Sequence, residues 1–144
     1  AFDVADPFAV NRYRDEFLKM IKQDVDIVFT NQSELAILFD TEDIEASIKQ
    51  LMNIVDRGGI KLGKKGSWVF ENRKTHFIPP KPISATDSTG AGDMYAAGFL
   101  SSLSKGNDCS HAGGLGVFLA EEIIQNPGAQ FDIKIMERLK ETII

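Results

Sequence analysis

The chain has 144 residues, of which 43% are hydrophobic and 26% charged, enough apolar content to bury a domain core and too much for a disordered segment. A net charge of −5 and a pI near 5.0 argue against a broad basic surface for nucleic acid or anionic lipid. No apolar run reaches the roughly 18 residues a membrane span needs, and the single Cys109 cannot staple the fold, which fits a reducing, cytoplasmic setting.

The elements follow in chain order. Ala1 to Asp6 carries two Asp and no basic residue, so it does not read as a signal peptide. Asp6-Pro7 predicts an N-cap with Pro at the first helical position, and Val10, Tyr13, Phe17, Leu18 and Ile21 share one face of the helix that follows. Asp26 to Thr30 predicts a buried strand, and Asn31 to Phe39 a short helix. Thr41 is placed to cap a helix reaching about Asp56, with Ile44, Ile48, Leu51, Met52 and Val55 inward and Gly58-Gly59 as its stop. Gly59 to Leu62, Ser67 to Glu71 and Lys74 to Ile78 predict three strands, with Gly63-Lys64-Lys65-Gly66 as a tight turn. A helix is expected from Gly90-Ala91-Gly92 to about Leu103, another from an Asp108 cap to about Gln125, and a last one from an Asp132 cap through Ile135, Met136 and Leu139. Early strand–helix alternation points to an α/β fold with a parallel sheet, and the late helices must cover it.

The segment richest in chemistry is Asp87-Ser88-Thr89-Gly90-Ala91-Gly92-Asp93. It is a loop of small residues feeding a helix N-terminus, whose first amides lack intrahelical acceptors. Small side chains at Gly90, Ala91 and Gly92 let an anion approach those amides, assisted by the helix dipole. Asp93 falls in the first turn, where a carboxylate can take a proton from a hydroxyl while the amides hold a phosphoryl group. The plainer alternative is a helix with an acidic first turn and a Gly-rich approach. The Ala96-Ala97-Gly98 stretch that follows makes the whole pattern more specific than Gly-Ala-Gly alone.

This segment resembles the second signature of the PfkB/ribokinase family of carbohydrate and nucleoside kinases. Asn31-Gln32-Ser33-Glu34 is similar to that family's Asn-x-x-Glu, Ile60 to Gly66 to its LGxxG strand-turn, and Gly128-Ala129 to its Gly-Ala beside the adenine pocket. The opening Asp6-Pro7-Phe8 through Phe29 looks most like adenosine-kinase-type members. The resemblance implies a ribokinase-like three-layer α/β/α fold, of which residues 1–144 form the ATP-binding and catalytic C-terminal half, without the lid and the N-terminal half. It implies ATP-dependent phosphoryl transfer to a hydroxyl of a nucleoside such as adenosine, or of a sugar. Asp93 would be the base, and Gly90, Ala91 and Gly92 the anion hole. Asn31, Gly63, Gly66, Gly128 and Ala129 would contact ATP, and Glu34 with Asn31 would act on Mg²⁺. On spacing alone a capping box is the stronger reading of Asn31 and Glu34, and the resemblance reverses that preference; Gly63 and Gly66 read equally as an ordinary hairpin turn. With the acceptor-binding half missing, the chain is expected to be inactive alone, and either to self-associate or to pair with a separate N-terminal half. The Ala1 start leads to the same expectation of a longer parent.

Other patterns carry less. Gly58 to Lys65 nearly spells a P-loop but ends in Lys and leads into a strand. His76 and His111 have no Cys/His spacing for zinc. Trp68 reads as a core residue, and Cys109 as a packed or surface thiol.

Overall fold

The computed structural model describes residues 1–131 and 133–143. One five-stranded sheet runs in the order β1 (Phe2–Asp3), β2 (Ile27–Asn31), β3 (Arg57–Lys61), β4 (Ser67–Glu71), β5 (Lys74–Ile78). The first three strands are parallel, and β4 and β5 join them by antiparallel pairing. The expected parallel sheet is therefore mixed. A parallel partner needs a crossover of about a dozen residues or more, and the 3₁₀ turn Gly63–Lys65 between β3 and β4 is far too short for one. β1 was not anticipated. It holds two residues, too few to show a period, and it is fixed by pairing Phe2 with Val28 and Asp3 with Phe29.

Helices α1 (Pro7–Arg12), α2 (Arg14–Asp24), α3 (Gln32–Phe39) and α4 (Ile44–Leu51) precede β4, and α5 (Ala91–Ser104), α6 (Cys109–Ile123) and α7 (Ile133–Ile143) follow β5. Val10, Ile21, Leu35, Leu38, Ile48 and Leu51 pack against Val28, Ile60 and Phe70. Tyr95, Phe99, Cys109 and Ala112 pack with Phe29 and Val69 in a second core. Neighbours along one strand thus serve different cores: Val28 one and Phe29 the other, Phe70 one and Val69 the other. This is the three-layer α/β/α arrangement that the family resemblance implies.

Several local expectations change. Asp6 caps α1 by accepting from the Phe8 amide, with Pro7 at the start, but the helix breaks at Tyr13 (φ −126°, ψ 36°). Tyr13 leaves the expected apolar face and is 45% exposed. Asp43, not Thr41, caps α4, accepting from the Glu45 and Ala46 amides, while Thr41 Oγ1 accepts from the Asp43 amide. α4 ends at Leu51 and turns carry the chain on, although Val55 is still buried. Gly58 and Gly59 are not a helix stop. They lie inside β3, where a Cβ on Gly58 would sit 2.5 Å from the Val28 carbonyl oxygen and one on Gly59 2.7 Å from the Tyr95 hydroxyl. Their small size makes room for Phe70 on one face and Tyr95 on the other. Asp108 caps α6 as expected, and Cys109 is buried beneath it. The expected Asp132 cap of α7 lies outside the described residues. In α7 Leu139 is buried, Met136 is half exposed, and Arg138 forms an ion pair with Glu122 of α6.

Candidate functional site

Asp3, Asn31 and Lys61 are the last residues of the three parallel strands. Asn31 and Lys61 are register partners, so the carboxyl ends of β2 and β3 open side by side. Open α/β sheets take ligands at this end.

The N-terminus of α5 faces the same place. Gly90 is its N-cap, in the left-handed region (φ 80°, ψ −2°), and no side chain caps the helix. A Cβ on Gly90 would lie 2.8 Å from the Ala129 Cβ. Glycine is required there twice over, by backbone conformation and by contact. The approach loop is anchored to the end of α6, because the Thr86 and Asp87 amides donate to the Ile124 carbonyl at 2.7 and 3.2 Å. Asp87 ties the loop together. Its carboxylate accepts from Thr89 N (2.9 Å), Thr89 Oγ1 (2.7 Å) and Gly128 N (2.9 Å). The Gly-Ala-Gly loop and Gly128-Ala129, far apart in sequence, thus become one unit.

Those hydrogen bonds, the Thr89 hydroxyl first, hold the Asp87 carboxyl down at about 2. The folded value is below the ordinary 3.8, so the stabilising effect is present above about pH 4 and is lost as pH falls through about 2. In an NMR titration the Thr89 and Gly128 amides are expected to report an apparent pKa near 2. A midpoint at the ordinary carboxylate value would contradict the tether.

Across from α5 lies the β3–β4 turn. Gly66 (φ 95°) is packed so that a Cβ would fall 2.3 Å from the Ile78 carbonyl oxygen, whereas above Gly63 nothing lies within 4 Å. A cavity of about 120 Å³ opens between turn and helix, lined by Lys61, Gly63, Gly66, Ala91, Gly92, Tyr95, Val117 and Glu121, among others. Its floor is fixed. Tyr95 donates to Ser67 Oγ at 3.2 Å, burial pushes its hydroxyl up to about 12, and Glu121 accepts from the Lys81 amide at 2.6 Å. Larger hollows exist, including one of about 700 Å³ lined by Asn11, Arg14, Gln32, Asp40 and others. That hollow contains none of the residues of the α5 loop or the β3–β4 turn.

The residues singled out in sequence divide as follows. Gly63, Gly66, Ala91 and Gly92 line one cavity, whereas Gly90, which packs on Ala129, and Gly128, which donates to Asp87, lie outside its lining. Asp93 lies exposed in the first turn of α5. Asn31 and Glu34 form the capping box that their spacing allows. Asn31 accepts from the Glu34 amide at 2.9 Å, and Glu34 accepts from the Asn31 amide at 2.8 Å. Glu34 is 2% exposed, and its two carboxylate oxygens also accept from Asn31 Nδ2 (2.6 Å) and Thr30 Oγ1 (3.2 Å). As hard oxygen donors they suit Mg²⁺, but with the Glu34 lone pairs so engaged the fit is one through water. Among the described residues no three His, Cys, Asp or Glu side chains converge as a metal cage. A cation held here would draw most of its ligands from phosphate and water.

Three residues escaped the sequence reading: Asp3, Lys61 and Asp87. Asp87 and Lys61 lay within quoted motifs, but their partners are 41 and 58 residues away. No local spacing announces such pairs.

The profile of the pfkB family carbohydrate kinases matches residues 2–136. An uncharacterized sugar kinase of Archaeoglobus fulgidus is 30% identical over 131 residues, covering 90% of this chain and 51% of its own. A nucleoside kinase of Methanocaldococcus jannaschii is 32% identical over 135 residues, covering 90% and 44%. Among solved structures, adenosine kinase from Sinorhizobium meliloti superposes with a TM-score of 0.90 at 30% identity, covering 97% of this chain and 43% of that one. A ribokinase II from Escherichia coli, in complex with ATP and Mg²⁺, shares the fold at a TM-score of 0.81 and 17% identity, covering 99% and 48%. The chain spans about half the length of the curated relatives it matches.

Proposed function

Because this chain belongs to the pfkB family of carbohydrate kinases, we propose that it is the ATP-binding, base-carrying part of a kinase that phosphorylates a hydroxyl of a nucleoside or sugar. The observation that carries the reading is the N-terminus of α5, which no side chain caps and whose Ala91 amide donates only to the Ser88 carbonyl at 3.2 Å, facing the Gly63–Gly66 turn across a cavity with an exposed carboxylate in its first turn. Phosphoryl transfer needs positioning and charge stabilisation more than covalent chemistry, and this arrangement offers both.

In this reading the amides of Gly90, Ala91 and Gly92 hold the γ-phosphoryl group, while Gly63, Gly66, Asn31, Gly128 and Ala129 line the nucleotide's path. Asp93 accepts the proton of the acceptor hydroxyl as its oxygen attacks phosphorus in line and ADP departs. Mg²⁺, when bound, would neutralise phosphate charge, with Asn31 and Glu34 acting on it through water. Adenosine is the first acceptor to test, because the adenosine kinase from Sinorhizobium meliloti is 30% identical over nearly the whole of this chain. A sugar is the second, on the Archaeoglobus fulgidus relative. A cytoplasmic location accompanies ATP use. No helix among the described residues is long and apolar enough to cross a membrane.

A second reading is a nucleotide-binding module without its own acceptor site. Transfer of label from γ-labelled ATP to adenosine, cytidine, ribose and fructose separates the two. The chain alone is expected to bind ATP without transferring phosphate to an acceptor. Turnover should appear once the remaining half of the kinase domain is supplied, in the same polypeptide, as a second chain, or through self-association. ATP binding with no acceptor-dependent transfer in any of these settings would leave the module reading, and absence of ATP binding would contradict both.

A further inference from the structure

We propose that Lys61 is a phosphate-contacting residue for the nucleotide, held on Asp3 until the phosphates arrive; this rests on the ATP-binding reading above. Lys61 ends β3 and Asp3 ends β1. The Lys61 ammonium lies 2.6 and 2.9 Å from the two Asp3 carboxylate oxygens, and both side chains are largely withdrawn from solvent. The same nitrogen lies 3.4 Å from the point a Cβ on Gly92 would occupy, beside the second residue of α5. It also lines the cavity shared by Gly63, Gly66 and Ala91, and among the described residues no other lysine or arginine does.

The placement is electrostatically unusual. A helix N-terminus carries partial positive charge, so a cation beside it is unfavourable unless an anion completes the set. Asp3 supplies that anion. A di- or triphosphate entering at the α5 amides would meet the ammonium at once, and a compact point charge on a flexible stem suits phosphate. Lys61 would then exchange one carboxylate for phosphate oxygen with little movement. The neighbouring Lys64 and Lys65 are exposed on the turn and do not line the cavity.

Calorimetry of the 144-residue chain with ATP, ADP and AMP, each with Mg²⁺, tests this. Lys61→Met should weaken ATP and ADP about ten- to a hundredfold, the scale of a charged hydrogen bond, and leave AMP within about twofold. Lys61→Arg should keep most of the ATP affinity. Asp3→Asn, which removes the competing carboxylate, should bind ATP at least as tightly as the unaltered chain. This last variant separates a ligand contact from a structural clamp, since a clamp would be broken equally from either end. Equal losses in Asp3→Asn and Lys61→Met, or unchanged ATP affinity in Lys61→Met, would overturn the role of Lys61 while the ATP reading stood. Should Lys61→Met fail to fold, Lys61→Arg and Asp3→Asn still decide: ATP affinity kept in both supports the contact, and affinity lost in Asp3→Asn overturns it. An unaltered chain that binds no ATP would overturn the ATP reading itself, and this inference with it.

Discussion

Asp93→Asn is expected to lower turnover of the assembled kinase by about 10²–10⁴ while leaving ATP affinity within about twofold. The exchange keeps shape and removes the proton acceptor. Asp93 is exposed in the first turn of α5, so the fold does not depend on its charge. The proposed phosphate contacts are backbone amides of the residues before it, which the substitution does not touch. Steady-state kinetics with adenosine, paired with ATP calorimetry, measures both halves of the expectation. Near-normal turnover would remove Asp93 from the base role, and a parallel collapse of ATP binding would show a structural defect instead.

Gly66→Ala should produce the largest loss of stability. The residue sits at φ 95°, ψ −145°, a region that costs a side chain about 1–3 kcal/mol. Its new Cβ would also fall 2.3 Å from the Ile78 carbonyl oxygen and 3.0 Å from the Pro80 ring. The carbonyl belongs to the last residue of β5, which pairs with Ser67, so relief requires moving the β4–β5 hairpin. Overpacking of this kind adds about 1–3 kcal/mol. Thermal unfolding should fall by roughly 10 °C or more at the few degrees per kcal/mol expected for a domain of this size. Gly63→Ala is the internal comparison. It has positive φ but nothing within 4 Å, so it should cost only about 1–2 kcal/mol. Equal melting temperatures for the two variants would refute the packing argument at Gly66.

The contrast between these glycines shows what the sequence discloses. Motif spacing placed Gly63 and Gly66 on a turn and Gly90 to Gly92 at a helix start, because strand endings and small-residue runs are local signals. β4 and β5 were readable to the residue, since turn chemistry bounds each on both sides. Gly58-Gly59 looked like a helix stop for the same reason. Their true partners, the Val28 carbonyl, Phe70 and Tyr95, arrive from other elements, and no local rule announces them. Tyr13 fitted a helical face until the backbone broke there. The capping box at Asn31 and Glu34 was legible as a cap, while any role toward Mg²⁺ came only through family resemblance. The Asp3–Lys61 pair joins the ends of two strands that meet only across β2, so it emerges from topology alone.

In the proposed function, nucleotide phosphates bind at the N-terminus of α5. Amide NMR of the chain titrated with ATP and Mg²⁺ tests it most directly. The largest shifts are expected on Gly90, Ala91 and Gly92, with smaller ones at Gly63, Gly66 and Gly128. Residues around the larger hollow, such as Asn11, Ala36 and Thr41, should stay in place. Shifts centred on that hollow, or none at the α5 amides under saturating ATP, would contradict it.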